Sequence, residues 1–122
     1  MPRPGSPTWR CLCLLCWVVG LVGIFAPQST VRPVAELGPD VLLHALALAA
    51  MAGTARLALP GAPARWFWPL LLLIAINLEV FQHLIQPSRF FSVYDLVANL
   101  VGVGLAALAL VVLTRFFRFS DN

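Results

Sequence analysis

The stretch VYDLVANLVGVGLAALALVVL, residues 93–113, decides what kind of protein this is. Apart from Tyr94, Asp95 and Asn99 near its start it holds only apolar residues and glycine, without a proline or a basic residue. Wound into a helix at 1.5 Å per residue it is about 32 Å long, enough to cross a hydrocarbon core of about 30 Å. Working back along the chain, residues 66–85, 41–59 and 9–26 read the same way. The composition agrees: 61% of the 122 residues are hydrophobic and 11% charged, with a mean hydropathy of +0.91, which excludes an ordinary soluble domain. The expected fold is all-α: a membrane bundle of four transmembrane helices forming a single domain over residues 1–122. The helices leave too little chain for a soluble domain, so any chemistry belongs to the bundle and its short loops.

A secretory signal is the competing reading of the first stretch, since Arg3 and Arg10 precede an apolar run that ends near Ala26-Pro27-Gln28. The run is long for a signal core and no small-x-small cleavage site stands before Pro27. An uncleaved first helix is expected.

The basic residues give the orientation. All eight are arginine. Arg3, Arg10, Arg56, Arg65, Arg115 and Arg118 fall at the N-terminus, the second connection and the C-terminus, and only Arg32 and Arg89 fall in the other two connections. The positive-inside rule then places both termini in the cytoplasm. The net charge of +3 is a matter of topology, and no nucleic-acid partner is expected. Trp66, Trp68, Phe116, Phe117 and Phe119 suit the cytoplasmic interface.

This orientation gathers the polar residues at one end. Asp40 and His44 open the second helix, Glu79, Gln82 and His83 close the third, and Asp95 and Asn99 open the fourth. All seven fall in the outer half of the membrane, where a charged side chain on a spanning helix costs at least about 3 kcal/mol and usually faces a partner or a water-filled cavity. Spacings of three and four keep each helix's contribution on one face. Two layers are expected, with Asp40, His83 and Asp95 near the headgroups beneath Arg89, and His44, Glu79 and Asn99 deeper. Asp95, Asn99, Gly102 and Ala106 continue as a stripe whose small residues admit a close neighbour, so the fourth helix is expected at the centre. The proline-bearing loop 27–39 is long enough to cover the mouth.

The ordered set Asp40-x-x-x-His44, Glu79-x-x-Gln82, then Arg89-x-x-x-x-x-Asp95-x-x-x-Asn99-x-x-Gly102 resembles the pattern of VanZ-like membrane proteins, and the resemblance covers the second to fourth helices. It implies a small bacterial plasma-membrane protein, multi-pass, of a kind in which some relatives are linked to reduced susceptibility to the lipoglycopeptide teicoplanin. The chain departs from the pattern at Val41, where members commonly carry Lys, and at Ala45 to Ala50, where aromatic residues commonly follow the His. The mouth of the pocket therefore lacks one positive charge. His83 lies outside the family pattern.

Glu79 and His44 are the candidate catalytic residues, and Asp40, Gln82, His83, Arg89, Asp95 and Asn99 the candidate binding residues. Structural roles compete with these. Asp95 stands three residues after Ser92 in a capping-box spacing, Asp40 follows Pro39 where acids favour the helix dipole, and Asn99 can bond between helices. Glu79 lies inside its helix, away from any cap, so a structural role would need a buried partner. Two histidines and two carboxylates at helical spacing suit tetrahedral ligation in type, but with His83 outside the pattern no metal and no cofactor is assigned. Cys11, Cys13 and Cys16 form a C-x-C-x-x-C run at the opposite end with no fourth ligand in reach, and read as packed or lipid-facing thiols.

Four functions fit these residues. The first is an envelope protein whose outer-leaflet pocket engages a lipid-linked cell-wall precursor, a phospholipid headgroup or a lipidated antibiotic. The second is an intramembrane acid/base enzyme on such a lipid-linked substrate, for which Ser88 and Ser92 offer no activated nucleophile. The third is a small ion-coupled carrier, and the fourth a bundle whose polar residues only specify packing.

Overall fold

Ser6 followed by Pro7 is a helix-start signal, because proline fixes φ for the first helical position and its missing N–H is not needed there. In the computed structural model the first helix, α1, begins there and spans Pro7–Phe25. The structure describes residues 2–25, 40–85 and 93–120, with the backbone alone described at 40, 41 and 117–120. Among the described residues three more helices follow: α2 (Asp40–Ala58), α3 (Ala64–Ile85) and α4 (Val93–Ser120). Among the described residues there is no strand, and the chain is an all-α bundle.

The boundaries differ from hydropathy at the ends. The α3 helix starts before Trp66, because the Pro63 carbonyl already accepts from the Trp66 and Phe67 amides at 3.0 and 2.9 Å. The α4 helix runs past Leu113 through Arg115 and Phe116. An apolar window closes where the hydrocarbon ends, whereas a helix closes where a breaker stands, and neither proline nor glycine follows Leu113.

Exposure is turned inside out relative to a water-soluble bundle. Leu14, Val18, Val22, Leu73, Leu84 and Leu108 lie on the outside, while among the described residues the buried polar and charged side chains are His44, Glu79, Gln82 and Asn99. That is the arrangement a lipid solvent selects. Helices α1, α3 and α4 are long and apolar enough to cross a membrane, and the apolar part of α2, Leu42–Ala58, is shorter. The α2 helix is also the most enclosed: Leu48, Met51, Ala52, Ala55 and Ala58 are buried on it.

The helices run alternately up and down, so that the end of α1, the start of α2, the end of α3 and the start of α4 share one end of the bundle. The tightest pair is α2 with α4; α1 packs mainly on α2, and α3 mainly on α4. Small residues explain the first pairing. A Cβ added at Gly102 would collide with the Ala45 carbonyl oxygen and come within 3.0 Å of Leu48 Cβ, so the absence of a side chain lets the two backbones approach. The α1–α2 seam is similar at Gly20, where a Cβ would meet Met51 Sδ at 2.6 Å. Next to it the Trp17 indole N–H donates to the Met51 carbonyl at 3.0 Å. Centrality is thus shared between α2 and α4.

The opposite end is closed by Gly5 and Arg56. Gly5 takes a φ of +83°, open to glycine without a side-chain clash, and its amide donates to the Leu57 carbonyl at 2.7 Å. The Arg56 guanidinium donates to the Ala62 carbonyl at 2.6 Å and lies 5.0 Å above the Phe67 ring.

Candidate functional site

The first turns of α2 and α4 and the last turns of α3 bring His44, Asp95, Asn99 and Glu79 together. Asn99 organises the group. Its Nδ2 donates to the Ala75 carbonyl of α3 at 3.4 Å, which leaves Oδ1 turned toward α2. His44 Nδ1 lies 3.1 Å from that oxygen; an amide oxygen only accepts, so Nδ1 carries the proton. The other ring nitrogen, Nε2, faces Asp95 Oδ2 at 3.8 Å, beyond hydrogen-bond length. The imidazole therefore bridges two residues one turn apart on α4. Glu79 enters from α3 with 2% of its surface exposed, and one ligating atom each of His44, Glu79 and Asp95 lies within 4.8 Å of the others.

This merges the two expected layers. His44 lies one turn into α2, yet its ring reaches Asp95 as well as Asn99. Asp95 belongs with the buried group rather than above it, and as an acid in the first turn of α4 it also favours the helix dipole. Its side chain is 14% exposed, which makes it the edge of the cluster toward the surroundings.

The other candidates go elsewhere. Gln82 is buried, but its amide donates to the Ile24 carbonyl of α1 at 2.8 Å, tying two helices together. His83 lies on the exposed side of α3; it is one residue, and so about 100°, from Gln82. The Asp40 side chain, Arg89, Ser88, Ser92 and the loop 27–39 lie outside the described residues. What the sequence reading missed is main-chain: the Ala75 carbonyl, four residues before Glu79 on the same face of α3, holds the Asn99 amide in place.

Below the cluster the core turns apolar, with Leu48, Met51, Phe67, Leu71, Val103 and Ala106 packed together. Two crevices of about 420 and 530 Å³ lie at the far end of the bundle, one beside Arg56, Trp68 and Arg115, the other beside Arg10, Trp17 and Trp66. The groups of the cluster suit a proton, a cation or one polar atom of a ligand. Compared with known proteins, the chain matches no family model, no curated protein and no solved structure.

Proposed function

We propose that the chain is a VanZ-like multi-pass protein of the bacterial plasma membrane, crossing it four times with both termini in the cytoplasm. In this reading the polar end of the bundle engages the polar part of an amphiphile in the outer leaflet: a lipid-linked cell-wall precursor, a phospholipid headgroup or a lipidated antibiotic. The observation that carries it is the convergence of His44, Glu79, Asp95 and Asn99 from three helices at one end, the end that the arginine distribution turns outward. Buried ionisable groups in a lipid-facing bundle mark function rather than filler. Asp95, at the edge, makes first contact with the headgroup, while acyl chains lie along the exposed Leu and Val faces. The apolar core beneath the cluster favours surface binding over a path through the membrane.

Glu79→Gln and His44→Ala, expressed beside the unchanged protein in a glycopeptide-susceptible Gram-positive host, test this. Membrane insertion is expected to persist and any teicoplanin tolerance the chain confers to fall to the empty-vector level. Tolerance unchanged in both variants overturns the reading. An acid/base enzyme is the second reading, favoured by the way Asn99 orients the His44 ring toward a carboxylate. It requires turnover of a labelled lipid-linked precursor by purified protein, and no product across pH and added metals rejects it.

A further inference from the structure

We propose that His44, Glu79 and Asp95 form a binding site for a divalent transition-metal cation of the zinc class, with one imidazole nitrogen and two carboxylate oxygens as its ligands. The sequence reading assigned no metal, because the set it weighed, two histidines with two carboxylates, drew on His83, which lies outside the family pattern. The geometry dispenses with His83: three ligands of two types, one imidazole and two carboxylates, from three different helices present atoms within 4.8 Å of one another.

The placement of the imidazole carries the argument. With Nδ1–H donating to Asn99 Oδ1, the Nε2 lone pair of the neutral ring points at Asp95 Oδ2 across 3.8 Å. An imidazole nitrogen and a carboxylate oxygen at that distance are both lone-pair donors that one cation placed between them can share. In a tetrahedral zinc site with bonds of about 2.0–2.1 Å, neighbouring ligand atoms stand roughly 3.4 Å apart, so closure needs only side-chain adjustment. One dication also matches the formal charge of two carboxylates, leaving a neutral unit, the form least costly to hold in hydrocarbon.

The surroundings fit a metal centre as well. A ligating histidine ordinarily donates its second ring nitrogen to an oxygen that fixes tautomer and orientation, and Asn99, itself held by Ala75, occupies that place. Three protein ligands leave the fourth position for water or for an oxygen of a phosphate or carboxylate. Asp95 at the rim gives access from the end of the bundle. The nitrogen donor favours zinc over magnesium and calcium.

The proposal stands apart from the envelope reading and is tested without lipid or antibiotic. Purified, tag-free protein in detergent is stripped with a chelator and titrated with Zn²⁺ by calorimetry, with Mg²⁺ as comparator and helical content monitored for each variant. The expected result is saturable uptake of one Zn²⁺ per chain and no comparable heat with Mg²⁺. The isosteric variants Glu79→Gln and Asp95→Asn should each weaken uptake at least about tenfold, Asn99→Ala about tenfold or more by freeing the imidazole, and His83→Ala not at all. Absence of saturable Zn²⁺ uptake by the unchanged protein overturns the proposal, and this needs no variant to fold. Full uptake in both Glu79→Gln and Asp95→Asn, or its loss in His83→Ala, overturns it equally. A chain that binds Zn²⁺ at this site but never alters glycopeptide tolerance retires the envelope reading alone.

Discussion

Replacing Gly102 by alanine places a methyl group against the Ala45 carbonyl of α2, with Leu48 Cβ and the Ala45 carbonyl carbon at 3.0 and 3.1 Å. Backbone cannot rotate out of the way as a side chain does, so the helices must part by roughly 1 Å to restore ordinary contact distances. Overpacking of this kind costs about 1–3 kcal/mol. The same displacement acts on the polar cluster, because Ala45 follows His44 and Gly102 lies one turn beyond Asn99. The 3.1 Å contact between His44 Nδ1 and Asn99 Oδ1 stretches past hydrogen-bond range, adding about 0.5–1.5 kcal/mol. The expected total is a loss of about 1.5–4.5 kcal/mol, read as a shift in equilibrium unfolding by SDS in mixed micelles. Gly104→Ala is the matched control: it lies two residues along the same helix and its added Cβ meets nothing within 4 Å, so it should be as stable as the unchanged protein or more so, by up to about 1 kcal/mol. Equal stability of the two variants would refute the close-approach argument.

Two further outcomes follow from the links between helices. Gln82→Leu removes the bond to the Ile24 carbonyl, costing about 0.5–1.5 kcal/mol and loosening α1. Spin labels at the exposed positions Val22 and Leu84 should report a broader distance distribution, and an unchanged one contradicts the assigned link. At the other end, Arg56→Ala removes both the Ala62 contact and the cation over Phe67, for a loss of about 1–2 kcal/mol. Arg56→Lys should retain part of this, and thermal unfolding that ranks the lysine variant no better than alanine argues against the ring contact.

Most of the fold was legible because lipid imposes a length and a composition on each helix. Residues 41–59 and 66–85 name α2 and α3 to within two residues at each end. The stripe from Asp95 through Asn99 and Gly102 also identified the face of α4 that accepts a close neighbour. Periodicity reports which residues share a face but not which helix that face meets. It therefore grouped Gln82 and His83 with Glu79, being three and four residues away, whereas the interface is narrow enough to bury Gln82 and leave His83 exposed. Side-chain reach was hidden for a related reason: positions along the axis put Asp95 above His44, but an imidazole is long enough to touch residues a full turn apart. The anchoring of Asn99 on a backbone carbonyl of α3 leaves no trace in residue types at all.

The link from Gln82 to Ile24 joins residues 58 positions apart and so bears on how the chain is built. When α1 and α2 leave the ribosome, the amide that will bond the end of α1 has not been synthesised. The α1–α2 seam at Gly20, Trp17 and Met51 can form early, but the polar end of α1 is secured only when α3 enters the bilayer. Assembly therefore finishes at the polar end, and a chain arrested before α3 would leave the end of α1 without its bond to Gln82.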